Sequence, residues 1–258
     1  MKKVTHGGRD TAYRYSDLDR GDYPPVLCIH GSGGTHEIWK SQLTRLSKER
    51  PIVALDLSGH GDSEDIENGA EENALAEYTE DVLAVARDTG ARVLMGNSLG
   101  GAVTLNFALE KDYRLEGLVL AGTGAKLAVL DDLRDWLRND FDRAVDFLHD
   151  ENMLFHHPDE RYLEFSKGAM YDAGWEVTRR DFLTCHRFDV RERLDEIEIP
   201  SLAVVGEHDQ LTPVWYHEYL AENIPDCDLS VIKDAAHLAM IEQPDQFNAV
   251  VSEFLDSL

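Results

Sequence analysis

Gly96-Asn97-Ser98-Leu99-Gly100-Gly101 stands between two segments of opposite character. Before it, Ala91-Arg92-Val93-Leu94-Met95 is a short apolar run that reads as a buried strand. After it, Ala102-Val103-Thr104-Leu105-Asn106-Phe107-Ala108-Leu109-Glu110 reads as a helix. A serine at a strand-to-helix junction, with glycine two residues before and two after, fits the G-x-S-x-G nucleophile elbow. The turn is so tight that side chains at 96 and 100 would strike neighbouring backbone, and glycine has no Cβ to do so. The hydroxyl of Ser98 is then held out above the sheet. The N–H of Leu99 is left at the start of a helix, where the dipole favours an anion. That is half of an oxyanion hole. The pentapeptide alone also occurs in ordinary Gly-rich turns, so its weight depends on three further groups: a carboxylate, a histidine and a second oxyanion donor.

Those groups are present in the chain order Ser, Asp/Glu, His. His237 follows the apolar run Leu229-Ser230-Val231-Ile232, on a loop from which a ring can reach over the sheet. Asp209 follows the strand-like Ser201-Leu202-Ala203-Val204-Val205. A neutral imidazole takes the proton from Ser98, and a carboxylate fixes its tautomer and stabilises the imidazolium. Glu207 shares a strand face with Asp209 and is the fallback acid. The second oxyanion donor is expected on His30-Gly31-Ser32-Gly33-Gly34, after the strand Pro24-Pro25-Val26-Leu27-Cys28-Ile29. Glycines such as Gly31 and Gly33 let this backbone approach a ligand closely. The N–H of Ser32 is the first choice of donor and that of Gly33 the second. The loop lacks the lysine of a phosphate-binding P-loop and the spacing of a dinucleotide fingerprint.

These segments, with Asp56-Leu57-Ser58-Gly59-His60-Gly61-Asp62-Ser63, resemble the α/β-hydrolase superfamily from about Val26 to Leu258. The resemblance implies an α/β fold: a mostly parallel eight-stranded sheet, helices on both faces, and a helical cap inserted after strand 6. It implies a core of residues 1–124 and 200–258 and a cap of residues 125–199. It implies a Ser98–His237–Asp209 triad, with Ser32 and Leu99 forming the oxyanion hole. The expected activity is a serine hydrolase cleaving a carboxylic ester of a small to medium apolar substrate through an acyl-enzyme, without cofactor or metal. Carbon–carbon bond hydrolases, lactonases, thioesterases and cofactor-free haloperoxidases use the same triad. A ligand receptor on this fold is the non-enzyme alternative. Serine at 98 argues against the haloalkane dehalogenase and epoxide hydrolase branches, which carry Asp there. Thr123-Gly124, where some relatives carry the acid, holds no carboxylate.

At 258 residues one domain with an insertion is the natural reading. No run of eighteen apolar residues is present, so no membrane span is expected, and the N-terminal stretch does not read as a signal peptide. Cys28, Cys185 and Cys227 are scattered, as in reduced thiols of a cytoplasmic protein. The net charge of −25, from 25 basic and 50 acidic residues, argues against nucleic acid and anionic membranes as partners. It leaves a small-molecule substrate, with the chain a monomer or a small homo-oligomer. Lysine is scarce, eight residues against seventeen Arg. An acidic, lysine-poor chain of modest apolar content suits a salt-accumulating organism, and stability and activity are expected to rise into molar salt.

Residues 1 to 23 read as edge strands with a polar turn at Asp17–Asp22, Glu37–Arg50 as a helix capped by Thr35, and Ile52–Asp56 as a buried strand. Glu64–Glu71 reads as an acidic loop, Asn73–Thr89 as a helix ended by Gly90, Leu115–Leu120 as a strand, and Pro244–Leu258 as a last amphipathic helix. Between Gly124 and Ile199 the pattern turns helical, over Leu127–Leu137, Arg138–His149, Asp159–Met170 and Trp175–Phe188. Trp136, Phe141, Phe147, Met153, Phe155, Met170, Tyr171 and Trp175 could face a pocket, although each alone more simply holds these helices together. His149, His156, His157 and His186 have irregular spacings that do not suit a zinc site.

Overall fold

Five tetra- to hexapeptide segments are buried at every residue, as strands covered on both faces must be. They belong to one sheet in a computed structural model that describes residues 1–18, 21–66 and 72–258. The strands are β1 (Lys2–His6), β2 (Arg9–Ser16), β3 (Val26–Ile29), β4 (Ile52–Leu55), β5 (Val93–Asn97), β6 (Gly117–Ala121), β7 (Ser201–Gly206) and β8 (Cys227–Ile232). Their order is β1-β2-β4-β3-β5-β6-β7-β8. β2 pairs antiparallel with β1 and β4, and every pairing from β4 to β8 is parallel.

The helices are α1 (Lys40–Thr44), α2 (Ala74–Thr89), α3 (Leu99–Glu110), α4 (Asp131–Asn139), α5 (Phe141–Leu148), α6 (Glu160–Arg187), α7 (Val214–Asn223), α8 (Ala239–Glu242) and α9 (Pro244–Ser257). The sheet divides two apolar layers by the two-residue alternation of its strands. Leu27, Ile29, Val53, Leu55 and Leu94 pack toward α2 and α3. Val26, Cys28, Ile52, Ala54 and Met95 face the opposite layer with Trp39 and Phe247. The eight-stranded, mostly parallel architecture read from the sequence is the one observed. Three helices, α4 to α6, stand between β6 and β7; they pack on one another and, through α6, on α2 and α3.

Local departures have local causes. The single helix expected over Glu37–Arg50 is instead a 3₁₀ turn at His36–Trp39, the short α1, and a second 3₁₀ turn at Leu46–Lys48. Thr44 and Ser47 return their hydroxyls to the carbonyls of Lys40 and Leu43, at 2.8 and 2.7 Å, a bond that bends helices. Thr35 does cap the first turn, accepting the N–H of Glu37. α4 begins at Asp131 rather than Leu127, leaving 127–130 extended. The two helices expected over 159–188 meet at Gly174, whose φ of 81° breaks the helical path inside α6. Parts of the turn expected at Asp17–Asp22 and of the acidic loop Glu64–Glu71 lie outside the described residues.

Candidate active site

The chain leaves β5 and enters α3 through Ser98, which has φ 55° and ψ −116°. A left-handed backbone at a non-glycine residue stores about 1–3 kcal/mol and persists only where the surroundings impose it. Here they do. The Ser98 N–H donates to the Ala121 carbonyl at 3.0 Å, and its carbonyl accepts from Gly101, Ala102 and the Thr123 hydroxyl. A Cβ on Gly96 would lie 2.2 Å from the Gly100 carbonyl oxygen, and one on Gly100 would lie 2.2 Å from that of Ile29. The turn therefore admits only glycine at these two positions.

Asp209 follows β7 on a tight turn. Its Oδ1 accepts the N–H groups of Leu211 and Thr212, each at 2.8 Å. Its Oδ2 accepts the Thr212 hydroxyl at 2.8 Å and stands 2.9 Å from His237 Nδ1. Both Asp209 and His237 are 4% exposed. With Nδ1 against a carboxylate, the other ring nitrogen makes no hydrogen bond among the described residues, and His237 and Ser98 line the same cavity. Glu207, the fallback acid, is half exposed and stands 3.9 Å from His208 rather than beside His237. Thr212 and Asn97 gave no signal in the sequence; Asn97 donates to the His237 carbonyl at 3.3 Å. Residues 152–154, of which only Met153 was singled out and only as a pocket residue, add backbone contacts. Their carbonyls accept from Gln210, His237 and Leu238, tying the acid and histidine loops together.

Gly31 lies against the elbow, where its Cβ would come 3.0 Å from Ser98 Cβ. The N–H groups of Ser32 and Leu99 find no acceptor among the described residues. Gly33 lines the cavity, but its N–H is committed at 3.0 Å to Asp181 of α6. That corrects the reading of Gly33 as a second-choice oxyanion donor: a donor saturated by a buried carboxylate has nothing left for a ligand.

The cavity is about 270 Å³ and its wall is mostly apolar. Of the large residues expected to face it, Phe147, Met153 and Met170 do. Trp136 instead packs edge-on against Phe147, Phe141 packs against Tyr171, Phe155 is buried elsewhere, and Trp175 is half exposed. The extended run Leu127–Leu130 and Phe165, Phe182, Trp215 and Tyr216 complete the wall, none of them singled out by patterning. Among the described residues no Lys, Arg, Asp or Glu lines it. His149 bonds to Val145 and Ser166, and His156 stacks on His157 and His208. Among the described residues no group of three His, Cys, Asp or Glu is arranged to hold a metal ion. None of the described helices is long and apolar enough to cross a membrane.

Comparison with known proteins agrees with this fold. A family model described as the alpha/beta hydrolase family matches residues 26–250. The pimeloyl-[acyl-carrier protein] methyl ester esterase of Edwardsiella ictaluri is 30% identical over 253 residues, covering 90% of this chain and 93% of that protein. The 3-oxoadipate enol-lactonase 1 of Acinetobacter baylyi is 24% identical over 249 residues, covering 91% and 90%. A solved structure described as a thermophilic esterase superposes with a TM-score of 0.86 at 31% identity, covering 99% of this chain and 97% of that one. With the fold, the elbow and these relatives in agreement, this chain is a hydrolase that belongs to the alpha/beta hydrolase family.

Proposed function

We propose that the chain is a serine hydrolase that cleaves carboxylic esters with an uncharged, apolar acyl or alcohol part. The observation that carries this reading is the buried 2.9 Å contact between His237 Nδ1 and Asp209 Oδ2, facing the cavity into which the strained Ser98 also opens. Asp209 holds the proton of His237 on Nδ1, so Nε2 is the base. Nε2 takes the Ser98 proton as Oγ attacks the ester carbonyl. The N–H groups of Ser32 and Leu99 receive the developing oxyanion, each such donor contributing roughly 3 kcal/mol. His237 then protonates the leaving alcohol. Water, activated by the same nitrogen, releases the acid and restores Ser98. We read residues 125–199 as a cap over this site and residues 1–124 and 200–258 as the core.

An uncharged substrate follows from the wall. A carboxylate entering this cavity would lose its hydration and meet only apolar or neutral groups, a transfer that is strongly unfavourable without a paired charge. The chain's net charge of −25 adds a repulsive field. Neutral lactones remain within reach of the same mechanism, being cyclic esters. The test is a series of p-nitrophenyl esters from acetate to decanoate, read with the wild type and Ser98→Ala. Burst acylation and turnover in the wild type, both absent in Ser98→Ala, are expected. Full turnover by Ser98→Ala would overturn the assignment.

A further inference from the structure

The Asp56–Ser63 segment takes no part in the chemistry above, yet its His60 meets α6 and the Ser32 loop at one buried point. Asp181 of α6 is fully buried. Its Oδ2 accepts the Gly33 N–H at 3.0 Å and stands 2.9 Å from His60 Nε2. Its Oδ1 accepts the Tyr78 hydroxyl at 2.6 Å. The neighbouring Arg180 donates to Tyr78 at 3.0 Å, the Ser58 carbonyl at 3.1 Å and Asp65 at 2.8 Å. Burial works to neutralise the Asp181 carboxyl, but the charge and hydrogen bond of His60, with Tyr78 and Gly33, outweigh it and hold the carboxyl below its ordinary range. An ionised acceptor makes the Gly33 contact strong and directional.

Other groups of α6 press on the same loop. Thr178, Asp181 and Cys185 are spaced to share a helix face. Cys185 Sγ stands 3.8 Å from Ser32 Oγ. A Cβ on Gly33, whose φ is +63°, would lie 2.8 Å from Met170 and 3.5 Å from Thr178. The peptide plane between Ser32 and Gly33 is thus fixed from the α6 side. The other side of the loop is fixed by Gly31 against the elbow.

We propose that Asp181 is a positioning residue of the oxyanion hole: its carboxylate, carried in by the helical insertion, sets the Ser32–Gly33 peptide and, with Gly31 held against the elbow, thereby fixes the Ser32 backbone between them and aims the Ser32 N–H of the adjoining peptide at the developing oxyanion. This rests on the ester-hydrolase reading above. It also means that the hole is complete only while α6 is seated.

The experiment compares Asp181→Ala with Asp81→Ala. Asp81 is an equally buried carboxylate that accepts from Arg9 and Ser58 and does not touch the loop. Well below their melting temperatures, Asp181→Ala should lower kcat about 10- to 100-fold with KM within about twofold, as expected of a misplaced group near the reacting centre. Asp81→Ala should keep kcat within about twofold despite a comparable loss of Tm. Asp181→Asn, which retains an acceptor for Gly33, should recover part of the loss. Equal kcat losses in the two alanine variants, or none in Asp181→Ala, would overturn the proposal. A measurement on the unaltered chain covers the case in which Asp181→Ala does not fold. Amide exchange by NMR should show the Gly33 N–H protected and the Ser32 N–H exchanging far faster. Equal rates would overturn the clamp. This readout does not depend on turnover, so a failure of the hydrolase reading, seen as an active Ser98→Ala, is told apart from a failure of the clamp.

Discussion

Replacing Asp209 by asparagine should disable His237 through its tautomer rather than through its position. Oδ1 of Asp209 takes two backbone N–H groups at 2.8 Å, and Oδ2 takes His237 Nδ1 at 2.9 Å and the Thr212 hydroxyl at 2.8 Å. An asparagine must keep its carbonyl oxygen on the two backbone donors. Turned over, it would set its NH₂ against both, and each unmade buried bond costs about 1–3 kcal/mol, or about 2–6 kcal/mol together. The turned amide is then populated to a few per cent at most. In the favoured orientation the NH₂ donates toward Nδ1, so the ring proton moves to Nε2. A protonated Nε2 cannot accept the Ser98 proton. The same substitution in the serine-protease template lowers kcat about 10⁴-fold, and a loss of about 10³- to 10⁴-fold is expected here. Steady-state and burst kinetics on p-nitrophenyl butyrate measure the loss, and ¹⁵N shifts of His237 report the tautomer. Asp209→Asn should do no better than Asp209→Ala despite its closer shape. If Asp209→Asn keeps more than a tenth of the wild-type kcat, the reasoning is refuted. A simultaneous collapse in Glu207→Gln would then make Glu207 the acid.

Three further outcomes are expected. Phe165 and Ile38 line both the catalytic cavity and a neighbouring cavity of about 410 Å³ with Lys40 and Arg161 at its rim; Phe165→Ala should join the two and move the best p-nitrophenyl chain up by about two carbons or more, and an unmoved optimum would mean that the ring is no barrier. Burial opposes charge on the His60 ring, but Asp181 outweighs it and raises the ring above 6.5, so its stabilisation is whole below pH 6.5 and is lost as pH rises through the raised value. Thermal scans of wild type and His60→Gln should therefore converge above neutrality, and a gap constant from about pH 6 to 9 counts against the charged pair; at the acid end, the part due to the lowered Asp181 is present above 3.8 and fades as pH falls through the lowered value. The net charge of −25 should make Tm rise from dilute buffer into molar NaCl, because screening shortens the range of self-repulsion from about 30 Å at 0.01 M to about 3 Å at 1 M, and a flat or falling Tm would count against a salt-adapted chain.

The elbow could be read from the sequence because its physics is local. Gly96 and Gly100 each meet backbone at 2.2 Å within one turn or across one strand, and no other residue type fits. Asp209 and His237 could be read because each lies on the loop after a strand, and parallel strands bring their C-terminal ends to one edge of the sheet. The cavity wall could not. Helical periodicity says which face of a helix is buried, not what it is buried against. Leu127–Leu130 looked like the first turn of a helix and is an extended run along the cavity. Trp215 and Tyr216 were not singled out, yet they reach the cavity from α7. The commitment of the Gly33 N–H joins residues 148 apart in sequence and leaves no mark on either neighbourhood.

That long-range contact has a consequence for selectivity. One helix, α6, supplies Phe165, Met170, Phe182 and Cys185 to the cavity wall and Asp181 to the oxyanion loop. In the proposed mechanism the wall sets which substrates fit, and the loop sets how well the transition state is held. Here a substrate too large for about 270 Å³ that displaces α6 also pulls on the contact between Gly33 and Asp181. The misfit is then felt in the transition state and not only in binding, so oversize esters should lose kcat as well as gain KM. The break at Gly174 lies inside α6, between Met170 and Asp181, so Phe165 and Met170 of the wall are joined by a bend to the half that carries Phe182, Cys185 and the loop-holding Asp181. If the bend takes up the displacement, medium chains will be turned over at full kcat. If it does not, kcat will fall from the first carbon that exceeds the cavity. The ester series already described distinguishes the two, since it reads kcat and KM separately at each chain length.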